Sequence, residues 1–239
     1  MSKLSIVATP IGNLRDITLR ALDVLSESDL ILCEDTRSTK KLLEHHNIHT
    51  RTIAYHEHSG SKRVEYILDL LEQGKHLALV SEAGTPGISD PGGKLVQEVV
   101  ERYGSRIDIE AIPGPSAVTA ALSIAGLPTH KFTFLGFPPH KKGRKKFLYS
   151  IFDAQQPVVI YESKHRILKF LEEIQKARNT LIRELGDNIK VDMVVCRELT
   201  KMHESVYRGS IEEIYTRIVE NWEDAKKGEF VIIMNVTNC

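Results

Sequence analysis

Short apolar runs alternate with amphipathic segments along the first half of the chain. Leu4-Ser5-Ile6-Val7-Ala8, Leu30-Ile31-Leu32-Cys33 and Leu77-Ala78-Leu79-Val80 have strand length, and Thr52 to Tyr55 and Ile107 to Ile112 extend the series. Between them the apolar spacing becomes helical. Leu19, Leu22 and Leu25 mark a helix over Thr18 to Ser26, and Ser38 to His46 is a second. Val64, Ile67, Leu68 and Leu71 fall at i, i+3, i+4 and i+7 in a third, which runs to Glu72. A fourth is predicted over Lys94 to Arg102. Strands that alternate with helices in this way build a mostly parallel sheet.

The pattern restarts after Pro113-Gly114-Pro115. Ser116 to Ala125 is small and apolar, a helix suited to close packing on a sheet. Phe132 to Leu135, Val158 to Tyr161, Met193 to Cys196 and Glu229 to Val236 read as strands, with helices over Lys164 to Ala177 and from Ser210 to about Lys226. The second half is therefore also α/β, with mixed strand order. The division lies between Pro113 and Gly126, giving domains 1–117 and 118–239.

A length of 239 residues suits one large domain or two small ones. Lys+Arg and Asp+Glu both number 32, so net charge announces no nucleic-acid partner, and any such partner must be held by a local patch. Cys33, Cys196 and Cys239 form no CxxC pair, which predicts free thiols in a reducing compartment and no cysteine metal site. With neither a signal-peptide pattern nor a membrane-length apolar run, a cytoplasmic location is expected.

Candidate chemistry gathers in the loops that follow strands. The longest is Ser81-Glu82-Ala83-Gly84-Thr85-Pro86-Gly87-Ile88-Ser89-Asp90-Pro91-Gly92. Its glycines let backbone N–H groups approach a ligand, its prolines stiffen it, and a loop of a dozen residues exceeds what a bare connection needs. Thr9-Pro10-Ile11-Gly12-Asn13, Glu34-Asp35-Thr36-Arg37 and Pro113-Gly114-Pro115-Ser116-Ala117 also follow strands, and in a parallel sheet all four emerge on one edge. The chain has neither a GxG nor a GxxxxGK[ST], which removes the usual dinucleotide and nucleoside-triphosphate sites. A ligand without multiple phosphates, such as an adenosine derivative held by backbone groups, fits a pocket with few cations.

Asp35 and Arg37 stand at the mouth of this crevice, either as a helix cap with its ion pair or as groups that orient a substrate and remove a proton. Tyr161-Glu162-Ser163 offers another pocket wall, or a helix start capped by Ser163. His56-Glu57-His58 lacks further ligands at metal-site spacing, so no metal is expected. The one dense basic run, His140-Lys141-Lys142-Gly143-Arg144-Lys145-Lys146, follows Gly136-Phe137-Pro138-Pro139 and suits a phosphate backbone.

Taken in order and spacing, Thr9 to Leu14, Glu34 to Arg37, Ser81 to Gly92, Pro113 to Ala117, Tyr161 to Ser163 and Arg197-Glu198-Leu199-Thr200 resemble the small-subunit ribosomal RNA ribose methyltransferases of the tetrapyrrole methylase superfamily. The resemblance runs from about Ile6 to Val236. It implies two α/β domains of the class III methyltransferase fold with S-adenosylmethionine in a cleft between them. It also implies 2′-O-methylation of a cytidine in small-subunit (16S) rRNA, and a homodimer. Carried over by position, Pro10, Glu82, Ala83, Gly84, Thr85, Ser116, Ala117 and Tyr161 would line the cofactor site. Lys141, Lys142, Arg144, Lys145 and Lys146 would meet RNA. Glu82 stands where many members have Asp, and many members also extend beyond the last strand. In this reading Asp35 accepts or orients the hydroxyl proton and Arg37 positions the ribose-phosphate. The rival expectations are a methylase of siroheme or cobalamin precursors and a non-catalytic RNA-binding assembly factor.

Overall fold

The computed structural model describes residues 2–56, 59–186, 189–222 and 228–238. Glu57 and His58 of the HxH segment, and Cys239, lie outside the described residues. The chain forms two compact units, Met1–Ser116 and Ala117–Cys239.

The first unit runs β1 (Lys3–Val7), α1 (Leu19–Glu27), β2 (Leu30–Cys33), α2 (Thr36–His45), β3 (Thr52–Ala54), α3 (Ser61–Glu72), β4 (His76–Val80), α4 (Gly93–Tyr103) and β5 (Asp108–Ile112). All five strands are parallel, in the order β3-β2-β4-β1-β5. The apolar runs are continuous because both faces are covered. Leu4, Leu30, Leu32, Leu77 and Leu79 meet Val64, Ile67, Leu68 and Leu71 of α3 and Leu95 and Val99 of α4. Their sequence neighbours Val7, Ile31, Cys33, Ala78 and Val80 turn to the opposite face, against Ala21, Val24 and Leu25 of α1 and Leu43 of α2. Each fully buried Leu, Ile or Val contributes roughly 1.5–3 kcal/mol, so two such layers set the register firmly. Helix α1 starts where the Thr18 side chain accepts the Ala21 N–H.

This winding has a functional consequence. Strands β1 and β4 are neighbours, yet β1 leads into α1 on one face while β4 leads into α4 on the other. Such a divergence opens a crevice at the carboxyl ends of the two strands.

The second unit runs α5 (Ala117–Ile124), β6 (Thr133–Gly136), α6 (Arg144–Phe152), β7 (Val158–Ser163), α7 (Ile167–Leu185), β8 (Ile189–Arg197), β9 (Ser205–Gly209), α8 (Ile211–Glu220) and β10 (Glu229–Asn238). Its strand order is β6-β7-β10-β8-β9, with β6 parallel to β7 and the remaining pairs antiparallel. Helices α6, α7 and α8 cover one face through Leu148, Ile151, Phe170, Leu171, Ile174, Ile214 and Ile218. Strand alternation puts Val158 and Ile160 into that core and turns Tyr161 to the other side of the sheet.

The second unit departs from the sequence expectation at several ends. Strand β9 is additional: its half-buried Ser205-Val206-Tyr207 and exposed Arg208 have too little apolar alternation to be read as a strand, and pairing with β8 makes it one. Helix α7 begins later and ends later than the 164–177 span. Ser163 belongs to β7, Arg166 takes the cap position, and Gly186 at φ +72° stops the helix after Leu181 and Ile182 have packed on the core. Helix α8 starts on a capping box in which Ser210 and Glu213 satisfy each other's backbone N–H. It ends at Glu220, and residues 223–226 of the expected span lie outside the described residues.

Candidate functional site

In the first unit the loops after β1, β4 and β5 are laced together by short-range bonds. Thr9 N–H donates to the Gly84 carbonyl at 2.9 Å, and Gly84 N–H returns a bond to the Thr9 carbonyl at 3.0 Å. The Thr9 hydroxyl donates to the Ser81 carbonyl at 3.2 Å, and the Ser81 hydroxyl to the Gly84 carbonyl at 3.2 Å. Both side chains are buried, so these bonds also meet the need of buried hydroxyls for partners. The Thr85 hydroxyl donates to the Pro115 carbonyl at 3.3 Å, joining the β4 loop to the β5 loop.

Two glycines are required by this lacing. Gly84 has φ +80°, and Gly92, at φ +140°, leaves room for a Cβ only 3.0 Å from Leu79 Cδ2 and 3.3 Å from Gly87 N. Pro10 and Gly84 are buried, Ala83, Thr85 and Ser116 half-buried, and Glu82 exposed. The expected cofactor residues of this unit thus lie on mutually bonded loops, with no lysine or arginine among residues 81–92 or 113–116. Backbone groups, small side chains and hydroxyls without cations fit a nucleoside that carries no phosphates. Ala117 and Tyr161 belong to the second unit, the first opening α5 and the second near the end of β7.

Asp35 caps α2. Its Oδ1 accepts the Arg37 N–H at 2.8 Å, and the Arg37 guanidinium reaches the same carboxylate at 3.4 Å. The Arg37 backbone N–H, followed by its side chain, holds the Asp35 carboxyl below its ordinary range. The Arg37 side chain is 89% exposed, so its guanidinium stands in solvent beside a carboxylate it holds only loosely.

The basic run does not behave as a block. Lys141, Lys142, Lys145 and Lys146 are exposed. Arg144 corrects the sequence expectation of a fifth exposed cation: it is 7% exposed, its guanidinium closes on Glu173 at 2.6 Å, and it donates to the Pro139 carbonyl at 3.0 Å. Arg166 makes a parallel arrangement, pairing with Glu162 at 2.9 Å and donating to the Pro138 carbonyl at 3.1 Å. Glu162 is buried, and its Oε1 accepts the Ser163 N–H at 2.7 Å while burial pushes its carboxyl up. Phe134 and Phe137 lie against Tyr161, with ring centroids 5.0 and 5.4 Å away. Residues that sequence reasoning passed over are Phe137, Arg166, Glu173 and the Thr9 and Ser81 hydroxyls. An aromatic residue and a Pro-Pro pair just before a cation run were a legible signal for the first.

Comparison with known proteins adds an independent line. The sequence model of the tetrapyrrole (corrin/porphyrin) methylases matches residues 3–215. A ribosomal RNA small subunit methyltransferase I of Thermotoga maritima is 40% identical over 98% of this chain and 99% of its own length. One from Vibrio cholerae is 44% identical over 97% of this chain and 76% of its own. Among solved structures, a cobalt precorrin-4 methyltransferase aligns at TM-score 0.65 and 20% identity, covering 97% of this chain and 94% of that one. A diphthine synthase aligns at 0.65 and 14%, covering 98% and 90%. At those identities the structures speak for the fold.

Proposed function

The chain belongs to the tetrapyrrole (corrin/porphyrin) methylase family, and from that premise we infer that it is an S-adenosylmethionine-dependent methyltransferase of small-subunit (16S) ribosomal RNA, acting on a cytidine ribose 2′-oxygen. The observation that carries this reading is the 40% and 44% identity, over nearly the whole chain, to small-subunit rRNA methyltransferases. The likeness to a corrinoid enzyme is 20% and extends to fold alone.

S-adenosylmethionine supplies a methyl group on a sulfonium, a strong electrophile that needs chiefly an aligned acceptor. The chain's own contribution is therefore positioning, and alignment of this kind is worth about 7–11 kcal/mol at best. Pro10, the backbone of Glu82 to Thr85, and Ser116 would hold the cofactor in the first unit, and the family resemblance adds Ala117 and Tyr161 as cofactor residues. Gly84 lets the backbone approach the ligand, and the bond from Thr85 to Pro115 keeps two of the loops in place.

Asp35 is a weak base because its carboxyl is held low. Its role is to accept a hydrogen bond from the ribose hydroxyl and aim the oxygen, the hydroxyl proton passing through this carboxylate to solvent as the oxygen gains its methyl, while the exposed Arg37 guanidinium takes the adjacent phosphate. Lys141, Lys142, Lys145 and Lys146 supply a cationic surface for the RNA backbone. Among the described residues no helix is long and apolar enough to cross a membrane. A homodimer working in a reducing cytoplasm completes the reading, which suits the two buried free thiols.

The test is mass-spectrometric mapping of ribose methylation after incubation with isotopically labelled cofactor. Assembled small subunits and free rRNA are both offered as substrate. A single labelled 2′-O-methylcytidine is expected. Label in uroporphyrinogen, with none in either RNA substrate, would overturn the assignment.

A further inference from the structure

The loop between β6 and α6 presents an exposed aromatic ring beside an exposed cluster of cations. Phe137 keeps 50% of its surface in solvent, and what distinguishes it is the cations that follow it in the same loop. Its ring packs against Tyr161 at an interplanar angle of 57°, Phe134 contacts Tyr161 in turn, and half of the Phe137 surface stays exposed. Four residues on come Lys141 and Lys142, both exposed, and the first turn of α6 adds Lys145 and Lys146.

The loop that carries these groups is held from below. Pro138 and Pro139 fix their own φ angles, and the carbonyl of each is taken by a buried or half-buried arginine, Arg166 for Pro138 and Arg144 for Pro139. Each arginine is anchored by a carboxylate, Glu162 and Glu173 respectively. Two charge-assisted clamps on consecutive carbonyls spend strong, oriented groups on the shape of one surface loop. A ring fixed in this way loses little entropy when a flat partner covers it.

We propose that Phe137 is a stacking platform for an unpaired base of the RNA substrate, with Lys141 and Lys142 holding the flanking phosphates. Aromatic side chains interleaved with cations are how single-stranded RNA is gripped, because every base offers a face and every linkage a charge. Charge complementarity selects RNA over a second protein surface: the molecule is neutral overall, and the cations concentrate next to this ring. The proposal rests on the reading of the protein as an rRNA methyltransferase and adds the residue that seats the strand.

The full-length protein is titrated with a fluorescently labelled single-stranded RNA of the substrate region and with the same RNA carrying abasic positions. Phe137→Ala and Phe137→Leu should each weaken binding roughly 5- to 100-fold, Phe137→Trp should stay within about 2-fold of wild type, and S-adenosylmethionine affinity by calorimetry should hold in all three. An abasic substitution at the stacked position should weaken wild type and leave Phe137→Ala unmoved, a signature that loss of packing alone does not give. If Phe137→Leu binds like wild type, the ring only packs on Tyr161 and the proposal fails. It fails equally if Phe137→Ala lowers the solution mass by light scattering without touching RNA affinity, since the ring would then face a second copy of the chain. Wild-type protein that binds the cofactor but neither binds RNA nor methylates small subunits would overturn the function itself, a result distinct from normal wild-type activity shared by Phe137→Ala.

Discussion

Asp35 holds a structural position as well as a chemical one, and the two can be separated by substitution. Asn caps a helix about as well as Asp, so Asp35→Asn should leave stability within about 0.5 kcal/mol, whereas Asp35→Ala should lose about 1 kcal/mol. Both should lower turnover by roughly 100-fold or more while S-adenosylmethionine affinity by calorimetry is unchanged. Single-turnover rates near wild type in Asp35→Asn would remove the residue from the mechanism. Because the Asp35 carboxyl is held low, it stays ionised through neutral pH, and it should add no rising limb to kcat/KM between about pH 5 and 8. Gly92→Ala should cost roughly 1–3 kcal/mol in urea unfolding, since φ +140° and the 3.0 Å approach to Leu79 both oppose a Cβ. Gly60→Ala, with nothing within 4 Å, is its control. At this scale the sequence shows residue types well and their surroundings poorly. Arg144 and its lysine neighbours read alike as cations in one run. Glu173, a partner on the next helix, takes Arg144 out of solvent, and no local pattern announces it.

Among elements, β7 and α7 meet at a junction that holds a buried carboxylate. Burial pushes the Glu162 carboxyl above its ordinary value near 4.5, against the opposing pull of the Ser163 N–H and Arg166. The folded state therefore holds that proton more tightly than the unfolded chain does. Stability falls as pH rises from about 4.5 through the raised folded value. In Glu162→Gln this downward contribution should vanish, read as the difference in pH slope of urea midpoints between variant and wild type. Strands β2 and β8 enclose the two described thiols: burial raises Cys33 and pushes Cys196 up to about 11. Native protein at pH 8 should resist iodoacetamide at both positions until it unfolds. The first sheet was legible element by element because continuous apolar runs and helical stripes leave little ambiguity. The gathering of its loops at one edge was legible too, since parallel strands all point the same way. Strand β9 escaped because its partner β8, not its own composition, makes it a strand. The bridge between Thr9 and Gly84 escaped because no spacing rule connects two loops so far apart in sequence.

The whole molecule carries no net charge, so its grip on RNA must be local and short-ranged. Four exposed lysines that each neutralise a phosphate on a single strand give a slope of log affinity against log salt of about −3. Replacing Lys141, Lys142, Lys145 and Lys146 together by Gln should remove that share and leave only about −0.7 from the phosphate held by Arg37. An unchanged slope would place the RNA elsewhere. The strand order of the first unit also reaches back to the birth of the protein. Strand β1 leaves the ribosome before β4 and β5, yet Lys3 must wait for His76 on one side and Asp108 on the other before its ladder can form. Strand β1 is thus secured only when partners far along the chain arrive, and closing such long loops slows the step. Pulse-labelled hydrogen exchange during refolding should find β1 amides protected together with those of β4 and β5, never ahead of them. Strand β1 gains its second neighbour only with Asp108 to Ile112, so a nascent chain stopped short of them holds β1 against β4 alone and leaves its other edge open to pairing with a foreign strand.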